Sequence, residues 1–298
     1  TINSFKTTLN ASIFVTGSNS KLLSGELATL LSGRYVSFQI MPFSFQEVVN
    51  LKKIEDPQDL EKAFNDYLLW GGMPQRFELH SLDAMKTYLS DVFDAIVLKD
   101  IIKRNSIKNV TLFQRIMEYL VTNPSQTFSP SNMIKEFEKE NIPVSSKTIY
   151  ECLDYAESAL LMSRVSTYDI RGKRILSRKD KYYLMDLGLG QILNINKRTQ
   201  FGAYLENIVY NELIYRGYHV SVGNNNGKEI DFIATKHNQK EYYQVAYTLA
   251  HAETEKREFE AFDYINDNYP KYVISIDRLD YSQNGIIHKN IIDWLLEQ

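Results

Sequence analysis

One stretch constrains the fold more than any other: SIFVTGSNSKLLSGELATLLSGRYVSFQIMPFSF, residues 12–45. Apolar Ile13, Phe14 and Val15 run into Thr16-Gly17-Ser18-Asn19, a helix-like segment follows from about Ser20 to Leu31, and a second apolar run spans Tyr35–Ile40. Strand, polar glycine turn, helix and strand are the parts of a buried parallel sheet, and the turn after the first strand is where α/β proteins hold phosphates. Two strands do not make a stable sheet. The pattern therefore predicts residues 1–44 to be the back half of an α/β core whose front half is absent or supplied otherwise. Yet the G-x-x-x-x-G-K-[ST] pattern, whose amides and lysine grip a triphosphate, occurs nowhere in the 298 residues.

The rest of the chain divides into three further predicted units. Residues 45–105 read as a small helical lid, broken at LLWGGMPQRF where Gly71, Gly72 and Pro74 end one helix and start another. Its last segment carries apolar residues at 89, 92, 93, 96, 97, 98, 101 and 102, which is helical spacing. Residues 106–190 read as three helices, the second with a Ser-Pro start and the third with Ser145 as its N-cap, then a hairpin turning near Gly172. That is the order of a winged helix. Residues 199–298 read as a helix, strands HVSVG, EIDFIAT and EYYQVAYTL, a charged helix, strand KYVISI and a last helix IIHKNIIDWLLEQ.

Charge is unevenly placed. Lys+Arg against Asp+Glu is 11 to 12 over residues 1–105, 12 to 10 over 106–190, and 9 to 15 over 199–298. The 12 residues from Ile170 to Lys181 net +5, as a basic wing would. Lys147 at the recognition-helix position, with Arg171, Lys173, Arg174 and Lys179 of the wing, are the candidate DNA-contacting residues, because phosphate contacts supply most non-specific affinity. Winged helices also serve as spacers and protein-docking modules, so a protein partner is the alternative. A single cysteine, Cys152, excludes an internal disulfide framework, and the five histidines are scattered without metal-ligand spacing. No apolar run approaches the roughly 20 residues of a spanning helix and no signal peptide is visible. A cytoplasmic protein with no membrane partner is expected.

The motifs VTGSNSKLLSGELATLLSGRY, PFSFQEV, GGMP, VLKDIIKRNSI, KYYLMDLGL and YLENIVYNEL…EIDFIA…YYQVAY together resemble a family of AAA+-type ATPases. In that family a P-loop domain is followed by a winged helix and a restriction-endonuclease-like domain of uncharacterised function. The resemblance implies an α/β and α+β multidomain chain: a partial AAA+ core (1–44), helical lid (45–105), winged helix (106–190) and PD-(D/E)XK nuclease-like α/β domain (199–298). It also implies that the chain begins just after the Walker B region. Ser18 and Asn19 then match sensor 1, and Arg34 of LSGRY matches an arginine finger, whose planar fork suits phosphate oxygens. The alternative for Ser18 is a helix N-cap and for Arg34 a surface salt bridge. Lacking Walker A and B, the chain is expected to need no cofactor and to hydrolyse nothing alone. ATP and Mg belong to the full-length parent, whose subunits would assemble as a homo-oligomer.

The nuclease-like domain raises a different function class. Such enzymes place a helix Glu, a strand Asp and D/E-X-K on the next strand around Mg²⁺. Glu206, Asp231 and Gln244 lie at the matching places, but Ala246 stands where the lysine belongs, and a domain of net −6 repels DNA. The site is expected to be degenerate and metal-free. The bland alternatives are a solvated helix face for Glu206 and a strand-end turn for Asp231.

Overall fold

The computed structural model describes residues 12–17, 36–193, 200–225, 227–263 and 265–297. Helices α1 (Phe45–Lys52), α2 (Pro57–Trp70) and α3 (Leu82–Asp94, continued by a π-helical stretch Ala95–Lys103) come first. The break between α2 and α3 falls at the predicted glycines: Gly71 has φ +69°, and a short 3-10 turn, Pro74–Glu78, follows. Helices α4 (Val110–Val121), α5 (Pro130–Lys139) and α6 (Ser146–Ser158) precede strands β1 (Met162–Asp169) and β2 (Arg174–Leu184). Their starts are set locally, since the Ser129 and Ser145 hydroxyls accept from the Asn132 and Thr148 amides and Pro130 needs no partner for a missing N–H. After the short helix α7 (Gly188–Gln191) come α8 (Phe201–Tyr215), β3 (His219–Asn225), β4 (Lys228–Lys236), β5 (Gln239–Val245), α9 (Ala252–Glu260), β6 (Lys271–Ser275), β7 (Ile287–Asn290) and α10 (Ile291–Leu296).

The strands form one mixed sheet in the order β2-β1-β3-β4-β5-β6-β7. The β1–β2 hairpin is not free-standing: β1 runs parallel to β3 through Thr167–Asp169. Beyond those residues β1 and β3 part. On the outer edge of β2, α8 supplies what a neighbouring strand would, because the Asn207 side chain accepts from Leu184 N and donates to Leu184 O, both at 2.8 Å. Strands in a flat sheet lie about 4.8 Å apart, which would separate β2 from β4 by about 14 Å. Yet Tyr183 and Phe232 have ring centroids 5.5 Å apart, so this edge of the sheet coils over α8, where Tyr183 stacks on Tyr210 at 4.4 Å. One core joins the amino-terminal helices, α8, α10 and one sheet face; a second, around Ile233, Tyr242 and Phe259, lies under α9.

Two readings of the sequence are corrected. The runs Ile13–Thr16 and Tyr35–Ile40, predicted as buried strands, show no regular structure over the described residues 12–17 and 36–40, and Phe14, Val36, Phe38 and Ile40 are exposed. Among the described residues no strand pairs with them, and a strand without neighbours leaves its backbone and both faces to water. The last helix was predicted to include Ile287–Asn290, which instead pairs parallel to β6 as β7; Asn290 then caps α10 by accepting from Ile292 N and Asp293 N. Among the described residues no helix is long and apolar enough to cross a membrane.

Candidate functional site

α8, β4 and β5 bring Glu206, Asp231 and Gln244 together as the spacing predicted, in an open cleft of about 580 Å³ that also admits Glu229, Arg257 and Glu258. The Asp231 and Gln244 pair is built by the β4–β5 ladder. Gln244 accepts at Oε1 from Asp231 N (2.9 Å), while Asp231 Oδ2 accepts from Val245 N (2.8 Å). Gln244 Nε2 donates to Glu258 of α9 (2.8 Å), whose other oxygen accepts from Arg257. Gln244 thereby bridges strand and helix.

The cation in this cluster comes from β2. Lys181 Nζ lies 2.9 Å from Glu206, 2.6 Å from Glu229 and 3.8 Å from Asp231, and its side chain is 4% exposed. Tyr183, two residues along and on the same face of β2, donates to Glu206 at 2.7 Å. Burial works against the charge on Lys181, but Glu206, Asp231 and Glu229 outweigh it and lift its pKa above the usual lysine range. Burial also raises Glu206, against the pull of Lys181 and the Tyr183 hydroxyl. Asp231 is pushed well up, by burial first and then by the Glu206 charge, with Lys181 opposing. The arrangement is a shared ion cluster in which one buried ammonium serves two largely buried carboxylates, Glu206 and Asp231, and the more exposed Glu229.

This geometry corrects the basic-wing reading at one residue. Lys181, counted with the wing, faces inward and is unavailable to a phosphate backbone. The other wing candidates stay outside. Arg171 and Lys173 are exposed at the hairpin tip, Arg174 is exposed with Asp169 at 4.0 Å, and Lys147 is exposed on α6 with Glu151 at 3.9 Å. Lys179 belongs to β2, its side chain outside the described ones, and Ser18, Asn19 and Arg34 lie outside the described residues. Sequence reasoning missed Lys181, Glu229 and Glu258 as members of the cluster. The available signal was a lysine abutting the apolar run Tyr182-Tyr183-Leu184-Met185, which reads equally well as the end of a charged wing.

Does the cluster fit the Mg²⁺ that the nuclease resemblance implies? It does not: among the described residues no three His, Cys, Asp or Glu side chains are arranged to hold a metal ion. Gln244 Oε1 already accepts from Asp231 N, and Glu206 and Glu229 are engaged with Lys181.

A second buried carboxylate organises the junction between the helices and the sheet. Asp186, between β2 and α7, accepts from Gly72 N (2.6 Å) and Gly188 N (2.8 Å). A Cβ at Gly71 would sit 2.2 Å from Asp186 Oδ1 and one at Gly72 2.1 Å from Phe43 O, so the Gly-Gly pair is dictated by close approach as well as by the turn. Arg76, buried beside it, donates to Gly71 O and to Asp66. Burial raises the Asp186 carboxyl to about 6, against the lowering pull of these amides and of Arg76. GGMP and MDLGL, far apart in sequence, are thus two halves of one clasp.

Residues 1–49 match an AAA domain, and residues 61–200 match a domain of unknown function (DUF8612). An uncharacterized protein of Haemophilus influenzae is 38% identical over 298 residues, covering 99% of this chain and 74% of its own length. The chain belongs to that protein's family. An uncharacterized protein of Methanocaldococcus jannaschii is 30% identical over 291 residues, and the match spans 92% of this chain but 63% of that relative, under two thirds of its length. No solved structure matches. The family therefore joins an AAA-like segment to the domain whose middle carries the helices α3 to α6 and the β1–β2 hairpin.

Proposed function

We propose that this chain is the carboxy-terminal portion of an AAA-like ATPase, inactive in ATP hydrolysis by itself, whose remaining residues form a binding arm and not a nuclease. The AAA domain match over residues 1–49, with no phosphate loop in the sequence, supports the first half. In this reading Ser18 and Asn19 sense the γ-phosphate, Arg34 reaches a neighbouring subunit's nucleotide, and ATP and Mg are bound by a longer, homo-oligomeric parent. The outward-facing run Val36–Ile40 is consistent with a strand whose neighbours belong to that core.

The observation that carries the second half is Lys181 in the acidic cluster. A metal-dependent phosphodiesterase needs carboxylate oxygens free for Mg²⁺ and a lysine beside the attacking water. Here the carboxylates are engaged by Lys181, and Lys181 by the carboxylates. Neither is left for the reaction. ATP turnover by a homogeneous preparation of the chain would refute the first half. For the second, no cleavage of single- or double-stranded DNA is expected in Mg²⁺ or Mn²⁺; cleavage by the wild type but not by Asp231→Ala would overturn it.

What the arm binds has two readings. Helices α4, α5 and α6 with the β1–β2 hairpin have winged-helix order, and the exposed tip with Arg171, Lys173 and Arg174 favours phosphate contact. Replacing those three residues by Ala should then weaken duplex binding regardless of sequence and flatten its salt slope by up to about 0.9 per lost contact. The protein-docking reading predicts no duplex binding even at low salt, and the net charge of the carboxy-terminal residues together with the inward turn of Lys181 supports it.

A further inference from the structure

The divalent cation implied by the nuclease resemblance and the cluster observed here are at odds, and the disagreement has a specific form. We infer that Lys181 is the resident cation of this centre, its ammonium filling the position where Glu206, Glu229 and Asp231 converge, in place of a metal. The inference rests on the reading of the cleft as non-hydrolytic and says how that state is held.

The donor count fits an ammonium. Lysine offers three N–H donors and no acceptor; Glu206 and Glu229 accept at 2.9 and 2.6 Å, and Asp231 lies at 3.8 Å as an ion pair beyond hydrogen-bond distance. Two further oxygens have partners of their own: Asp231 Oδ2 accepts from Val245 N, and Glu229 Oε2 meets the Thr127 hydroxyl at 3.4 Å. Glu206 Oε1 takes the Tyr183 hydroxyl in addition to Lys181. Mg²⁺ demands a near-octahedral oxygen shell and Ca²⁺ six to eight oxygens, so either would have to displace Nζ and strip these bonds.

The source of the cation matters as much as its fit. Lys181 is delivered by β2, while its partners stand on α8 and β4, so the cluster also bolts the hairpin to the carboxy-terminal strands where the sheet coils. Covalently tethered and 4% exposed, this cation cannot be chelated or diluted away. A metal would leave the hairpin's position dependent on the ion concentration; the lysine makes it constant. Withdrawing the ammonium should therefore free these carboxylates to close on a divalent cation, a site that the wild type lacks.

The test is Mn²⁺ binding to the full chain, read by electron paramagnetic resonance and by melting temperature. Wild type is expected to show neither a tight Mn²⁺ site nor a shift in melting. Lys181→Met, which leaves the carboxylates without their counter-ion, should melt lower, bind Mn²⁺ at least about tenfold more tightly than wild type, and recover melting temperature as Mn²⁺ is added. Adding Asp231→Asn to that variant should abolish the gain. If Lys181→Met is unfolded in metal-free buffer, refolding on addition of Mn²⁺ is the expected result. Equal Mn²⁺ affinity in wild type and variant, or a variant with neither Mn²⁺ affinity nor Mn²⁺-dependent recovery, overturns the inference. Neither readout involves hydrolysis, so Asp231-dependent cleavage by the wild type would sink the non-hydrolytic reading separately.

Discussion

Val36-Ser37-Phe38-Gln39-Ile40 and Ile230-Asp231-Phe232 are runs in which apolar side chains alternate with polar ones, and they end in opposite environments. Val36, Phe38 and Ile40 are 78%, 77% and 86% exposed, while Ile230 and Phe232 are fully buried. The second run has β3 on one side and β5 on the other, α8 over one face and α9 over the other. The first has no strand beside it among the described residues. Ile230 joins the core under α9 and Phe232 the core beside α8, the β3–β4 ladder being irregular between them, so it is neighbours on both faces and not alternation that bury this run. Because the backbone must be paired before a strand can leave water, equal apolar content yields a core strand in one place and an exposed ribbon in the other.

The largest effect should come from testing that contrast directly. Phe232→Ala removes a ring packed against Tyr183 and Tyr210 and should cost about 3–5 kcal/mol in denaturant unfolding. Phe38→Ala should leave stability within about 0.5 kcal/mol of wild type. Similar costs at the two positions would mean that residues 36–40 pack against the molecule in solution and the contrast would collapse.

The boundary between the two regions can be tested next. The two regions meet where Phe43 N donates to Gly72 O (2.8 Å), and Gly72 is held by Asp186. Burial raises the Asp186 carboxyl from 3.8 to about 6, so the folded state binds its proton more tightly than the unfolded chain. Its contribution is fully present below about pH 4 and is lost as pH rises through about 6. At about 1.4 kcal/mol per pH unit, the wild-type stability relative to Asp186→Asn should fall by about 2 kcal/mol between pH 4 and pH 7. Urea melts of both proteins across that range measure it; a difference that does not change with pH would show that Asp186 titrates normally and does not guard the boundary electrostatically.

The smallest effect sharpens the buried side. Gly202, in the first turn of α8, has no atom within 4 Å of where a Cβ would go, in contrast to Gly72. Gly202→Ala should therefore stabilise the helix by about 0.5–1 kcal/mol, visible as a rise in melting temperature. Destabilisation would indicate an unseen neighbour at that end of α8.

The sequence by itself determined what nearest neighbours in the chain can settle. Ser129-Pro130 and Ser145 start α5 and α6, Gly71-Gly72 separates α2 from α3, Gly172 lies in the β1–β2 turn, and the runs around Val220, Phe232 and Tyr243 become β3, β4 and β5. The convergence of Glu206, Asp231 and Gln244 was legible too, because a hairpin register fixes two of them and a helix preceding it the third. Tertiary structure alone decided the rest. Lys181 belongs to a run of basic residues by sequence and to a cage of carboxylates in space; the choice was made by the coiling of β2 over α8, which no local pattern encodes. Ile287–Asn290 became a strand because β6 offered a free edge. Val36–Ile40 stayed in water because nothing among the described residues did the same for it. Caps and turns are satisfied within a few residues, whereas strand pairing and ion clusters are satisfied only by partners that the chain brings back from far away.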